Sequence, residues 1–445
     1  MLSDDSPPEG LEEQRERDSK SIDPTTRRRV LSATFIGNFV EWFDYGVYGY
    51  LAVTISTVFF PAGDPQAALL STFAVFAVSF IARPFGALIW GTIGDRHGRR
   101  TALSMSILIM TGATFLIALL PTYEMVGMLA PALMLLLRLI QGFSASGEYA
   151  GAASFLVEYA PPRKRGVYGA VVPASTASGL LLGSLLAALL SAVLTEPSMQ
   201  GWGWRLPFLL AAPLGLIGLY IRLKLEDTPN FKALEADNEV DTTPVRDLFT
   251  QHWKPMLFAL GGALLNAVGF YVILTYMPTY LSEELGFGST ESFLATTIAL
   301  VTYIGLIFLT GMASDRFGRR TLLVGAGIGF VVLTVPAFMV LGSAGFLAVV
   351  LIQIVLGGLL TMNDGTLPTF LAELFPTKVR YSGFAVSFNV ANAVFGGTAP
   401  FMATFLIGWS GSDLAPAWYL VAAAIISGVV VLFARETSHR PLRDT

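Results

Sequence analysis

The feature that most constrains this chain is a series of apolar runs that begins at Val30 and continues almost to its end. Each run is about 20 residues long, which is the length that a helix needs to cross a bilayer. We predict twelve membrane-spanning helices, at 32–60, 67–94, 101–121, 125–159, 165–195, 202–224, 253–282, 290–313, 321–341, 345–374, 380–408 and 414–435.

The composition agrees with a chain that lies mostly in lipid. Of its residues 53% are hydrophobic and only 13% are charged, whereas a soluble domain carries about 25% charged residues. The absence of cysteine excludes disulfides, thiol catalysis and cysteine-ligated metal sites. The sequence shows no nucleotide-binding motif, metal-ligand cluster or soluble catalytic domain. We therefore predict a protein that is not an enzyme, needs no cofactor and is not coupled to ATP.

One long polar break, residues 225–252, divides the predicted helices into two groups of six. We expect an all-α membrane protein with six-helix bundles at 31–224 and 253–436, joined by this break as a linker. The tails, 1–30 and 437–445, are polar, and the first lacks the apolar core of a signal peptide.

The charges of the loops predict the orientation of the chain. If twelve helices are present, Lys and Arg fall on one side, at 96–100, 163–165, 222–254, 316–320 and 378–380 and in both tails. The opposite loops carry Asp64, Glu124, Glu196, Glu283, Glu284, Glu291 and Asp413. By the positive-inside rule, both termini and the linker are cytoplasmic. We expect a multi-pass protein of a bacterial inner membrane.

The two halves also share an internal repeat. The segment G-T-I-G-D-R-H-G-R-R-T at 91–101 recurs as G-M-A-S-D-R-F-G-R-R-T at 311–321. Likewise, E-x-x-P-x-x-x-R at 158–165 recurs at 373–380. Both matches are in register, which indicates a duplicated six-helix unit. Two such halves, related by an axis along the membrane normal and with a substrate site between them, are a transporter architecture.

Several motifs carry a resemblance to a known family. They are N-F-V-E-W-F-D-Y at 38–45, R-P-F-G at 83–86, the repeated G-x-x-x-D-R-x-G-R-R, R-L-I-Q-G-F-S at 138–144, G-E-Y at 147–149, G-W-G-W-R-L-P at 201–207 and E-L-F-P at 373–376. With these motifs the chain resembles the major facilitator superfamily and, within it, the metabolite:proton symporter family, over about residues 30–440. The resemblance implies alternating-access symport of a small solute with protons, by a chain that acts as a monomer in the lipid bilayer and has no nucleic-acid partner.

The resemblance leaves two substrate classes open. The stretch L-T-Y-M-P-T-Y-L-S at 274–282, with R-Y-S at 380–382, is most similar to the proline/glycine-betaine permeases. By contrast, A-N-A-V-F-G-G at 391–397 resembles the 2-oxoglutarate-type members. We therefore expect a symporter of a zwitterionic compatible solute, and as the alternative a symporter of a carboxylate such as 2-oxoglutarate.

Four carboxylates inside the predicted helices are candidates for proton coupling. Ionisable groups are expensive within a membrane, so they are functional hypotheses by default. The candidates are Glu41, Asp44, Glu148 and Asp364, whereas the histidines all fall in loops or tails. Glu41 and Asp44 are three residues apart and share one helix face. The alternative is that they pair with Arg83 or Arg138 as structural ion pairs.

Two arginines and a set of aromatic residues are candidates for solute contact. A guanidinium group suits a bidentate grip on a carboxylate, so Arg138 and Arg83 are predicted to bind the solute, the alternative being internal salt bridges. Aromatic rings could build a cation–π cage for a quaternary ammonium group, although most aromatic residues pack against helices or lipid. The cage candidates are Trp42, Phe43, Phe270, Tyr271, Tyr276 and Phe388, with Asn389 beside them.

The repeated loops are predicted to form a cytoplasmic gate. Asp95 and Asp315 end their helices beside a run of arginines, where acid–base pairs and helix dipoles can hold the halves together in one state. We expect Glu158 to pair with Arg99 or Arg100, and Glu373 with Arg319 or Arg320. The complete set is Asp95, Arg96, Arg99, Arg100, Glu158, Arg165, Asp315, Arg316, Arg319, Arg320, Glu373 and Arg380.

Overall fold

The fold is a bundle of long helices joined by short connections. The computed structural model describes residues 24–61, 63–87, 89–90, 99–161, 163–223, 244–438, 440 and 442. Its long helices are α1 (Pro24–Tyr50), α2 (Pro65–Ala87), α3 (Arg99–Ala118), α4 (Leu129–Glu158), α5 (Arg165–Val193), α6 (Glu196–Ile221), α7 (Trp253–Glu284), α8 (Ser289–Phe317), α9 (Arg319–Leu341), α10 (Phe346–Leu374), α11 (Val379–Ser410) and α12 (Ala415–Phe433).

Ten of these helices, α2 and α4 to α12, are long and apolar enough to cross a membrane within the described residues. Two others complete the predicted set. In α3 the apolar stretch is the shorter Ser104–Ala118, and α1 carries two carboxylates and continues after Leu51 as Ala52–Phe59. The predicted helices therefore all have counterparts. The helix Pro244–Gln251 lies in the predicted linker, and the other described helices between the long ones are short turns.

The helices pack as two groups that meet along a shared interface. In the first group α1 packs on α5 and α3 on α6, and in the second α9 packs on α12 and α8 on α10. Contacts of α5 with α8, α2 with α11 and α4 with α10 join the groups. Gly179 allows α5 to approach α1 closely, because a Cβ there would lie 2.7 Å from the backbone nitrogen of Phe43.

Several helices lose regular geometry near the centre of the bundle. Within α4, Ala145–Gly147 forms a 3₁₀ turn. Within α7 and α11, Tyr271–Tyr276 and Asn392–Gly396 are π-helical. In α10, the helix stops at Asp364 and resumes at Leu367. Such irregular turns inside long helices occur frequently at functional sites, and these four surround the interface between the two groups.

The two ends of the bundle differ in charge. One end, the arginine-rich face, brings together Arg165, Arg319 and Arg380. The other, the acidic face, carries the turn at Glu196 and the end of α7 at Glu284. Arg205 is an exception to the predicted charge pattern. It lies at the acidic face, where its guanidinium donates hydrogen bonds to the carbonyls of Gly201 and Leu120.

Candidate functional site

A cavity with an empty volume of about 250 Å³ lies between the two halves of the bundle. Its lining comes equally from both. The first half contributes residues of α1, α4 and α5, and the second contributes residues of α7 and α11. The lining residues are Trp42, Tyr149, Pro173, Thr176, Asn266, Phe270, Phe388 and Asn392.

Two aromatic pairs form walls of this cavity, and each pair joins the two halves. Tyr149 and Phe388 stack with ring centroids 4.3 Å apart and planes at 5°. Trp42 and Phe270 meet edge to face, with centroids 5.1 Å apart and planes at 70°. A movement of one half against the other would separate the rings of both pairs, so the walls depend on the relative position of the halves.

The polar groups of the lining are neutral hydrogen-bond donors and acceptors. The Thr176 hydroxyl accepts a hydrogen bond of 2.6 Å from the Asn38 amide, which leaves its own O–H group to donate. The Asn392 amide donates to the carbonyl of Phe388 at 3.0 Å. The indole N–H of Trp42 is buried and has no hydrogen-bond partner in the described part of the chain. These groups can donate hydrogen bonds to an anionic oxygen of a solute without the help of a cationic side chain.

The arginines predicted to grip the solute are held elsewhere, in buried ion pairs. Arg83 pairs with Glu41 at 2.9 Å, and Arg138 pairs with Asp44 at 3.0 Å. Gln141 donates to both carboxylate oxygens of Asp44 at 3.0 Å. Neither guanidinium is among the described lining of the cavity in this conformation, and both form internal salt bridges.

The aromatic neighbours of these pairs explain how two cations are accommodated in the bundle. The Arg83 guanidinium lies 4.4 Å from the Phe80 ring centroid and 5.7 Å from that of Trp42, a cavity residue. The Arg138 guanidinium lies 3.8 Å from the centroid of Tyr48. Ring faces attract cations, most strongly where water is excluded. Arg83 therefore stands behind the cavity wall rather than in it.

The residues predicted to form the aromatic cage fall into two groups, those that line the cavity and those that do not. Trp42, Phe270 and Phe388 line the cavity. The other four predicted members do not line it, although the Tyr271 ring lies 5.9 Å from that of Trp42 and 5.6 Å from that of Phe270. Phe43 packs where α5 crosses α1, Tyr271 lies against Phe76 and Phe80, Tyr276 accepts a hydrogen bond from Thr404, and Asn389 donates to the carbonyls of Ser146 and Ala385.

The cavity lining also includes residues that were not predicted from the sequence to have this role. They are Tyr149, Pro173, Thr176, Asn266 and Asn392. The amides and the hydroxyl are polar groups within apolar helices, and that signal could have identified them. It does not tell which face of a helix points to the other half.

Two further candidate carboxylates lie in the bundle. Glu148 is buried at the start of the second segment of α4, Glu148–Tyr159. Asp364 is fully buried at the interruption of α10, where Tyr303 and Asn266 donate hydrogen bonds to it at 2.5 and 2.8 Å. Asn266 also lines the cavity, so Asp364 is one hydrogen bond away from the cavity wall.

The arginine-rich face is closed by contacts between the halves. Asp315 accepts hydrogen bonds from the backbone N–H groups of Gly166 and Val167, at 2.8 and 3.2 Å, and pairs with Arg319 at 2.8 Å. The carboxylate thus lies at the N-terminus of α5, where the helix dipole favours a negative charge. Glu373 pairs with Arg319 at 3.3 Å, as expected, and also with Arg165 at 3.6 Å.

Other parts of the predicted gate differ from expectation. Glu158 pairs with Arg380 of the other half at 2.9 Å, a partner that was not predicted for it. Arg316 and Arg320 are exposed. Asp95 and Arg96, and the side chains of Arg99 and Arg100, lie outside the described residues. The described part of the gate therefore also joins the two halves directly.

Residues that follow α12 add further contacts at the arginine-rich face. Glu436 accepts hydrogen bonds from the backbone N–H groups of Arg319 and Arg320, at 2.9 and 3.1 Å, at the start of α9. Gly318 permits this approach with a φ of 97°, and a Cβ there would lie 2.6 Å from Glu436 Oε2. Burial by itself raises the pKa of Glu436, but the backbone N–H donors, Ser438 among them, outweigh burial and lower the pKa overall.

Contacts between the halves also close the acidic face. The Tyr50 hydroxyl donates to the carbonyl of Leu274 at 2.6 Å. Ser184 and Thr297 share a hydrogen bond of 2.7 Å, and Ser184 also donates to the carbonyl of Phe293 at 3.2 Å. Contacts between the halves are therefore present at both faces.

Known proteins match this chain along nearly its whole length. The Major Facilitator Superfamily model matches residues 34–295, and the Sugar (and other) transporter model matches residues 232–445. The glycine betaine/proline/ectoine/pipecolic acid transporter OusA of Dickeya dadantii (strain 3937) is 39% identical over 435 residues, which are 95% of this chain and 86% of that protein. The proline/betaine transporter of Escherichia coli (strain K12) is 37% identical over 439 residues, or 96% of this chain and 87% of that protein.

Solved structures support the fold independently. A partially occluded inward-open structure of the xylose transporter XylE from E. coli has a TM-score of 0.75 and 18% sequence identity, and the match covers 93% of this chain and 99% of that one. A crystal structure of the D-xylose-proton symporter has a TM-score of 0.72 at 19% identity, with the same coverage of both chains. This chain is a multi-pass membrane transporter that belongs to the major facilitator superfamily.

Proposed function

We propose that this chain is a proton-coupled symporter of a small zwitterionic solute such as glycine betaine or proline. The observation that carries this proposal is the chemistry of the cavity, whose lining combines four aromatic side chains with neutral polar groups and, among the described residues, includes no acidic or basic one. The names of the relatives from Dickeya dadantii and E. coli support the same solute class.

An uncharged lining suits a solute whose own charges sum to zero. A quaternary ammonium group has no N–H to donate, so aromatic faces are its main source of attraction in a protein. Trp42, Tyr149, Phe270 and Phe388 provide such faces. The indole N–H of Trp42 and the hydroxyl of Thr176 are available as donors to the solute carboxylate.

The carboxylate alternative fits this cavity less well. A solute with two negative charges would need cations to replace its lost hydration. Arg83 and Arg138 are the candidates, and each is already paired with a buried acid, at 2.9 and 3.0 Å. Binding 2-oxoglutarate would require breaking these ion pairs, whereas binding a zwitterion leaves them intact.

The contacts at the two faces provide the elements of alternating access. Parting the halves at the acidic face would break the hydrogen bond from Tyr50 to Leu274, and parting them at the arginine-rich face would break the pair of Glu158 and Arg380. By the positive-inside rule the arginine-rich face is cytoplasmic, together with both termini. The relatives are bacterial, which favours the inner membrane.

Proton coupling requires a group that gains and loses a proton during this cycle. Of the buried carboxylates among the described residues, Glu41, Asp44, Glu148 and Asp364 are the candidates, since Glu373 belongs to the gate. No other cofactor is needed, because the proton gradient supplies the driving force. One chain contains a complete cavity, so we propose that a monomer suffices.

The test is solute uptake by the purified full-length protein in proteoliposomes. Radiolabelled glycine betaine, proline and 2-oxoglutarate are offered separately, with and without an inward proton gradient. We expect glycine betaine or proline to accumulate, and accumulation to collapse when a protonophore is added. Uptake of 2-oxoglutarate alone would contradict the proposed solute, and accumulation that is insensitive to the protonophore would contradict proton coupling.

A further inference from the structure

Asp364 differs from the other buried acids whose partners are described, because its partners are neutral. Tyr303 of α8 donates to Oδ2 at 2.5 Å, and the Asn266 amide of α7 donates to Oδ1 at 2.8 Å. In the described part of the chain, no cation lies within ion-pair distance of this carboxyl group. Glu41 and Asp44, in contrast, each pair with an arginine.

This difference determines which group can accept a proton with little disturbance. Protonation of Asp44 would leave the fully buried guanidinium of Arg138 without its counterion, and removing one partner of a buried ion pair is strongly destabilising. Protonation of Asp364, in contrast, leaves no described buried cation without its counterion. Its position at the interruption of α10, between Phe346–Asp364 and Leu367–Leu374, also places it where a helix can rearrange.

Asn266 connects this carboxyl group to the cavity. Asn266 lines the cavity, and its side-chain amide donates to Asp364 at 2.8 Å. The N–H of the amide that donates to the ionised Asp364 cannot also donate fully to a bound solute. Competition for one donor is a direct physical link between the solute and the proton.

We infer that Asp364 is the proton-binding group of the symporter and that Asn266 couples its protonation to solute binding. The inference rests on the proposed function and assigns the coupling to one carboxyl group. When a proton binds Oδ1 of Asp364, the new O–H group no longer needs the Asn266 N–H. The amide can then turn to donate to the solute carboxylate, and a solute that engages the amide in turn favours the protonated acid.

The linkage is reciprocal, as coupling between two sites must be. A proton raises the affinity for the solute by the factor by which the solute raises the affinity for the proton. Couplings of this kind are typically about 5- to 150-fold. This is the property that a symporter needs, because proton and solute then load together and leave together.

Among the described residues, two further titratable groups face Asp364, from different elements. Tyr303 contacts it from α8 within the same half, and Tyr149 acts on it electrostatically from α4 of the other half. Tyr149 also lines the cavity and stacks on Phe388. Parting the halves would therefore change the surroundings of Asp364 directly, which gives proton release a conformational trigger.

The test uses the full-length protein in proteoliposomes, with radiolabelled glycine betaine as the probe. Counterflow without a pH gradient reports solute exchange, and accumulation under an inward proton gradient reports coupling. For Asp364→Asn we expect counterflow within about threefold of wild type and no accumulation above equilibrium. For Asn266→Ala we expect the pH dependence of apparent affinity, about tenfold in wild type, to fall below about twofold.

If Asp364→Asn is inactive in both assays, a second pair of variants tests whether Asp364 binds the proton. Tyr303→Phe removes the hydroxyl that favours the ionised carboxylate, so the pH of half-maximal uptake should move upward by about one unit. Thr296→Val is the matched control, since Thr296 also lies on α8 and donates to a side chain of α10, Gln353, at 3.0 Å. Equal pH midpoints in the two variants would overturn the inference.

The outcomes also separate this inference from the proposed function. If the wild-type protein fails to take up glycine betaine or proline, the proposed function fails, and the inference fails with it. If the wild type accumulates glycine betaine and Asp364→Asn does so equally well, only the inference fails. Another carboxyl group would then carry the proton.

Discussion

Arg380 on α11 forms an ion pair of 2.9 Å with Glu158 on α4, and this pair bridges the two halves of the transporter at the arginine-rich face. The Arg380 side chain is nearly fully buried, and it also donates to the carbonyl of Ala372 at 2.9 Å. The pair connects residues that are 222 positions apart in the chain. It therefore stabilises the conformation in which this face is closed.

Neutralising Glu158 should open the arginine-rich face more often. A hydrogen bond to a charged group contributes about 1.5 kcal/mol, so Glu158→Gln should shift the balance of open and closed states by about tenfold. Because the chain has no cysteine, a single Thr369→Cys can report this. Thr369 is buried and donates to the carbonyl of Arg165 across the interface. We expect its labelling by a small permeant maleimide to be about tenfold faster with Glu158→Gln.

The control is a reporter at the other face. Ser184→Cys occupies a buried position that hydrogen-bonds to Thr297 at 2.7 Å across the interface at the acidic face. Its labelling should slow when Glu158 is neutralised, since alternating access exchanges one opening for the other. Faster labelling at both positions would indicate general loosening of the structure instead of a shift between states.

Removing an aromatic wall should weaken binding of a quaternary ammonium solute. Phe388→Leu keeps apolar volume but removes the ring that stacks on Tyr149 at 4.3 Å. A cation–π contact contributes about 0.5–2 kcal/mol, so the KM for glycine betaine should rise by about 2- to 30-fold. The measurement is initial uptake rate against concentration in proteoliposomes. Phe401→Leu is a suitable control, because Phe401 stacks with Phe405 away from the cavity, and it should leave the KM unchanged.

The buried acids should differ in what they contribute to stability. Asp44→Asn leaves the guanidinium of Arg138 without its counterion, and breaking a buried ion pair in this way costs about 3–5 kcal/mol. Asp364→Asn leaves no buried cation, so its effect should be smaller. Thermal unfolding of the detergent-solubilised variants checks the order. A larger loss for Asp364→Asn than for Asp44→Asn would show that the Arg138 pair is not a major structural contact.

The cap of α9 by Glu436 should stabilise the protein in a pH-dependent way. Because the pKa of Glu436 is lower in the folded protein than its usual value, its stabilising contribution is fully present above the usual glutamate pKa of about 4.3 and is lost as the pH falls through the folded value. Glu436→Gln should therefore lower the unfolding temperature at neutral pH. The difference from wild type should disappear in strong acid, and a difference that persists there would contradict the charge-based explanation.

Much of the architecture follows from local properties of the sequence. The predicted helices at 165–195, 253–282 and 345–374 correspond closely to Arg165–Val193, Trp253–Glu284 and Phe346–Leu374. The length of an apolar run and the charges at its ends are properties of neighbouring residues, so they can be seen without knowing what packs against what. The same reasoning identified Glu41, Asp44 and Asp364 as buried acids, because a charge inside an apolar run is visible in one dimension.

Which residues these buried acids contact depends on how helices that are far apart in the chain pack together. The sequence indicated that Asp44 or Glu41 could pair with Arg138 or Arg83, and only the crossing of α1 with α2 and α4 decided that both pairs form. The same is true of Asn266, whose importance depends on its reaching Asp364 and the cavity together. Helical periodicity shows that residues share a face, but it does not show which neighbour that face meets. The sequence by itself therefore determined that the chain is a membrane transporter of two halves. The tertiary structure decided which side chains line the cavity, form the gates and surround the carboxyl group of Asp364, because those contacts join residues from helices that are far apart in the chain.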